Sequence, residues 1–151
     1  MAFQAGGPHA QDRGLEAVSY AYREMKRCPA TATWQKRVSK TETVTLEKTW
    51  RIIPRGISVT VGCSTFPTWN SYPGIFASLV TGNAVIVKPH PGAVLPLAIT
   101  VEVMREVLAE AGFDPNVITL VCDSHDDPVA QDLVTRPDIG IVDFTGGNAF
   151  G

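Results

Sequence analysis

Groups able to do chemistry gather in three short stretches: the side chains of Ser64 and Thr65, those of Lys88 and His90, and Thr145 with the backbone of Gly146 and Gly147. Each stretch follows a run rich in β-branched residues, ISVTV, AVIV and IGIV respectively. ISVTV and AVIV are too short for helices and too apolar for an edge, so they predict buried strands of a parallel sheet covered on both faces. Ligands of these sheets bind outside the carboxyl ends of the strands, which is where all three stretches fall. The Thr-Gly-Gly bend is the usual entry to a helix whose free N–H groups can hold a phosphate. Lys88 reads either as a ligand-binding amine or as a lysine whose stem snorkels out of a strand end.

The elements that must position these groups are legible around them. Residues 57–61 and 84–87 read as strands joined by an apolar helix that Gly82-Asn83 closes. A helix over 94–111, with apolar stripe Leu97, Val101, Met104 and Leu108 and its end at Gly112, leads to a strand at 117–121. A short helix at 126–135 and a strand at 139–142 complete a βαβαβαβ order, hence an α/β fold with a doubly wound parallel sheet. Upstream, residues 1–13 read as a frayed start and 14–27 as an amphipathic helix with Leu15, Val18, Tyr22 and Met25 inward. The stretch 30–40 lacks a period and reads as a loop, whereas 43–53 alternates as a half-exposed β ribbon. The expected organisation is an N-terminal helix and loop (1–42), a ribbon (43–56) and a nucleotide-binding domain that is incomplete at its glycine bend (57–151).

Composition narrows the partners. The chain has 151 residues, 44% hydrophobic and 19% charged, with a net charge of −2, which fits an ordinary soluble domain and offers no basic face for nucleic acid. No stretch approaches the roughly 20 apolar residues of a membrane helix, and residues 1–14 lack the apolar core of a signal peptide, so a cytoplasmic protein is expected. Cys28, Cys63 and Cys122 have no metal or disulfide spacing, and Cys63 and Cys122, each after a buried strand, read as small buried hydrophobes. His9, His90 and His125 are scattered, without ligand spacing; no metal is expected. A GxGxxG after the first strand is absent, which argues against the common dinucleotide fingerprint.

Four landmarks in order, Phe66-Pro67, Gly82-Asn83, Val87-Lys88-Pro89 and Phe144-Thr145-Gly146-Gly147-x-x-x-Gly151, resemble the cofactor domain of the aldehyde dehydrogenase superfamily over about 46–151. Within it, TATW, LEK, PRG and GCSTFPTWN-YPG-FASL-TGNAV-VKPHP are similar to the PaaN-type proteins of phenylacetate degradation, back to about Tyr20. The resemblance implies an NAD- or NADP-dependent oxidation of an aldehyde, a Rossmann-like fold, and a homo-oligomer joined through the ribbon. It places Lys88 on the ribose, Thr145, Gly146 and Gly147 on the pyrophosphate, and Ser64 and His90 beside the cofactor. No acid stands between Lys88 and Glu102 where the family often has a Glu on the ribose hydroxyls, so NADP is as plausible as NAD. Counted back from Gly82-Asn83 without gaps, Thr65 falls on the family's oxyanion-binding Asn; Trp69-Asn70 fits that motif only if the helix is shortened. The family's nucleophilic Cys and general-base Glu belong to a catalytic domain beyond residue 151, so the chain alone is expected to be inactive. Two alternatives remain at this level, a free-standing nucleotide-binding module and a structural remnant that binds nothing.

Overall fold

The structure, a computed structural model, describes residues 2–148, with side chains from residue 4 onward. The last glycine of the motif, Gly151, lies outside the described residues. Four strands form a parallel sheet in the order β5-β4-β3-β6: β3 (Ile57–Val61), β4 (Ala84–Lys88), β5 (Ile118–Leu120) and β6 (Ile139–Phe144). The helices α3 (Pro67–Val80) and α4 (Val94–Glu110) make successive crossovers in one direction, while α5 (Ala130–Val134) carries the chain back across β4 and β3 to β6. With right-handed connections, α3 and α4 share one face and α5 takes the other. The reversal of winding lies at β3, between β4 and β6, and opens a crevice at the carboxyl ends. The doubly wound α/β fold is therefore present.

The core lies under α3 and α4, where Ile75, Val85, Val87, Leu97, Val101 and Ile118 are buried together. The stripe expected on α4 is the one that packs, with Met104 and Leu108 partly buried against this cluster. Gly82, at φ +84°, closes α3, and Asn83 sends its N–H back to the Ser78 carbonyl at 2.9 Å. The buried Asn83 side chain then accepts the N–H groups of Arg55 (2.7 Å) and Gly56 (3.2 Å) while donating to Thr81 Oγ1 and the Ser78 carbonyl. One amide thus ties the end of α3 to the entry of β3, the physical content of the Gly-Asn landmark.

The amino-terminal third departs from expectation. Residues 2–25 are helical as α1 (Ala2–Gly6) and α2 (Pro8–Met25), Pro8 being tolerated at a first helical position where no intrahelical donor is needed. The inward face of α2 is made by Ala10 and Gly14 rather than by Leu15 and Tyr22, which are exposed. Small residues win because α2 lies close against α3: a Cβ on Gly14 would come within 2.9 Å of the Phe76 ring. The expected loop at 30–40 contains β1 (Thr31–Arg37), antiparallel to β2 (Thr43–Thr49), with Trp34 opposite Leu46 and Lys36 opposite Val44. Both faces of this ribbon are exposed, not one. Its alternation reflects a β ladder and not contact with the core.

Candidate functional site

All seven predicted site residues, Ser64, Thr65, Lys88, His90, Thr145, Gly146 and Gly147, line one cleft of about 660 Å³ at the carboxyl ends of the sheet. Each wall comes from a loop that leaves a different strand: 62–65 after β3, 88–91 after β4, 123–128 after β5 and 144–147 after β6. Registers explain the convergence. Val61 pairs with Lys88 on one side and Phe144 on the other, so strands separated widely in sequence end level with one another. The cleft volume falls within the roughly 300–1,000 Å³ typical of small-molecule sites.

Lys88 does not snorkel. Its Nζ lies 2.7 Å from Asp123 Oδ1, with only 5% and 1% of the two side chains exposed. Asp123 was not legible from the β4 loop, but it stands directly beyond β5, where the rule about strand carboxyl ends already pointed. Its Oδ2 accepts the Val129 N–H at 3.1 Å, which fixes the carboxylate to the loop leading into α5. The ammonium and Oδ1 form a close, buried ion pair. The acid absent from the Lys88 loop is thus returned by a neighbouring strand.

The two histidines at the rim meet edge to face, His90 and His125 having ring centroids 5.3 Å apart. Nδ1 of His90 accepts the Gly92 N–H at 3.0 Å, which leaves Nε2 as its remaining polar atom.

The turn after β3 is held by Asn70. Its Nδ2 donates to the Thr65 carbonyl at 2.9 Å and to Cys63 Sγ at 3.0 Å, while Cys63 Sγ itself donates to the same carbonyl at 2.8 Å. Both amide hydrogens of Asn70 are engaged, whereas the exposed Thr65 hydroxyl carries no hydrogen bond to another described residue. Phe66, at φ +51°, takes a left-handed conformation that costs a non-glycine residue about 1–2 kcal/mol, and this sharp corner starts α3 at Pro67. Cys63 is half-buried, whereas Cys122 is exposed and does not pack as the small hydrophobe expected after its strand. No cluster of metal-ligating residues occurs among the described residues, and no helix there is long and apolar enough to cross a membrane.

Asp143, two residues before the Thr145-Gly146-Gly147 bend, sits against α3, where a Cβ on Gly74 would overlap its carboxylate. Burial pushes this carboxyl above the usual carboxylate range. The fold then holds the proton more tightly than the unfolded chain, so this contribution to stability is full below the ordinary carboxylate pKa and is lost as pH rises through the raised value. Asp143→Asn is expected to melt at a higher temperature than the wild type near pH 7 and at about the same temperature near pH 3. Coincident melts at neutral pH would mean that the carboxyl is solvated.

Comparison with known proteins gives this geometry a family. The family model described as "Aldehyde dehydrogenase family" matches residues 4–151. The chain belongs to the aldehyde dehydrogenase family. A solved NAD-dependent aldehyde dehydrogenase from Burkholderia multivorans is 59% identical and superposes with a TM-score of 0.87, over 94% of this chain and 26% of that one. The 2-aminomuconic semialdehyde dehydrogenase of Danio rerio is 36% identical over 83 residues, 54% of this chain and 15% of the relative. An acetaldehyde dehydrogenase (acetylating) of Bilophila wadsworthia is 31% identical over 96 residues, 64% of this chain and 20% of the relative. The chain therefore spans 15–26% of the length of these aldehyde dehydrogenases.

Proposed function

We propose that the cleft is the NAD(P) half-site of an aldehyde dehydrogenase that oxidises an aldehyde to an acid. One observation carries the reading: four loops, from four parallel strands, bring Lys88 and the Thr145-Gly146-Gly147 bend to a single crevice at the reversal of winding. When bound, the dinucleotide supplies the hydride acceptor. In this reading Lys88 donates to the ribose, and backbone N–H groups at Gly146 and Gly147 receive the pyrophosphate. Ser64 and His90 line the path between them. The Thr65 hydroxyl, free where Asn70 is engaged, donates to the oxygen of the attacked carbonyl.

The same reading leaves the 151-residue chain able to bind but not to turn over. Cys63 makes a poor nucleophile because its Sγ donates to the Thr65 carbonyl and receives the Asn70 amide, with no base among these partners. Calorimetric titration of the purified chain with NAD and with NADP is expected to show micromolar binding of at least one. Aldehyde oxidation, followed by reduced nucleotide absorbance, is expected to stay at the blank. Absence of binding by both nucleotides sinks the cofactor assignment and favours a structural remnant; turnover by this chain sinks the assignment of the nucleophile elsewhere.

The parent pathway proposed is phenylacetate catabolism in the cytoplasm, on the PaaN-type pattern through 62–91. The organisation proposed is the N-terminal stretch 1–42, the ribbon 43–56 and a partial cofactor domain 57–151, with the ribbon's second strand drawn from 31–37. Homo-oligomerisation is proposed through that ribbon, whose Trp34, Val44 and Leu46 leave an apolar face open.

A further inference from the structure

The geometry points to Asp123 as the residue that makes this site take a ribose with a free 2′-hydroxyl and refuse a 2′-phosphate. The inference rests on the nucleotide reading above and adds to it the choice of cofactor. Three observations carry it. Asp123 belongs to the cleft wall, and its side chain is 1% exposed, so its charge acts there with little screening by solvent. Oδ1 is held by the Lys88 ammonium at 2.7 Å, so the pair offers the cleft no unmatched positive charge. Oδ2 is fastened to the Val129 N–H, so the carboxylate does not swing aside to admit an anion without breaking that bond.

Lys88 would ordinarily favour a phosphate, but its charge is already matched by Asp123 at 2.7 Å. Among the described residues neither arginine nor a second lysine lines the cleft. His90 and His125 also line the cleft, and His90 Nδ1 accepts the Gly92 N–H. A 2′-phosphate would therefore meet a carboxylate and a neutralised amine, while a 2′-hydroxyl brings no charge for that carboxylate to repel. The loop after β4 lacks the acid that would select NAD, and the loop after β5 does that work instead.

Calorimetry on the 151-residue chain, with NAD, NADP and the fragments 5′-AMP and 2′,5′-ADP as probes, tests this. The wild type is expected to bind NAD at least about tenfold more tightly than NADP, and 5′-AMP more tightly than 2′,5′-ADP. Asp123→Asn, checked for folding by circular dichroism, is expected to narrow the ratio to within about threefold by strengthening NADP. Equal wild-type affinities for NAD and NADP overturn the inference whether or not the variant folds. A folded Asp123→Asn that weakens both nucleotides with the ratio unchanged also overturns it, because Asp123 is then only a scaffold. If the wild type binds none of the four probes, the nucleotide reading falls first and this inference with it.

Discussion

Lys88→Met is expected to lower the stability of the fold by about 3–5 kcal/mol, measured by urea denaturation, and to abolish detectable nucleotide binding. The stability loss follows from what the substitution leaves behind. Asp123, 1% exposed, would be left with a single backbone donor at Oδ2 and no counter-ion at Oδ1. A buried unpaired carboxylate is far more costly than a missing contact, whereas removing both charges together restores much of the loss. The double variant Lys88→Met with Asp123→Leu should therefore be more stable than Lys88→Met alone, although it too should fail to bind nucleotide. Since a domain of this size has only about 5–15 kcal/mol in hand, the single variant is expected to unfold at a clearly lower urea concentration than the wild type. A loss below about 1 kcal/mol would mean that water reaches the pair, as at an exposed salt bridge.

The residues that form the site were legible because a parallel sheet makes a simple demand: ligand groups follow strands at their carboxyl ends. ISVTV and AVIV are continuous apolar runs, and they appear as β3 and β4 with the expected positions of Lys88 and Thr65. Asp123 escaped because its role depends on which strands become neighbours. Nothing local links it to Lys88, 35 positions away by their numbers, until β5 pairs with β4. The amino-terminal errors have another cause. Hydrophobic periodicity assigned Leu15 and Tyr22 to the interior of α2, but close approach to α3 selects residues that occupy little space, Ala10 and Gly14. In the same way Thr31–Arg37 shows no apolar alternation because neither of its faces is buried, and its strand character comes from pairing with Thr43–Thr49 alone. Patterning reports burial, so a strand such as Thr31–Arg37 or a helix face of small residues can stay hidden from it, although Thr43–Thr49, equally exposed, keeps an alternation.

Ile75→Ala is expected to cost about 2–5 kcal/mol and, unlike Lys88→Met, to loosen the cleft from behind. Ile75 is 0% exposed and belongs to the cluster that α3 and α4 press onto the sheet, alongside Val85, Val87, Leu97 and Ile118. Removing most of its side chain leaves a void between the helix and β4, and the cost depends on how far α3 can settle into it. Settling is restrained at both ends of that helix. Asn83 holds its carboxyl end to Arg55 and Gly56, and Pro67, after the left-handed corner at Phe66, fixes its start. With little collapse available, the upper part of the range is expected. Asn70 rides on the same helix and clasps the Thr65 carbonyl, so a shift of α3 moves the Cys63–Thr65 turn with it. The measurable consequence is a split between two probes of nucleotide binding: contacts at Lys88, anchored on β4 and Asp123, should persist, while hydrogen exchange at the 62–65 backbone should rise. An Ile75→Ala chain with unchanged exchange there would show that the turn is held by the sheet alone, and that Asn70 contributes no order to it.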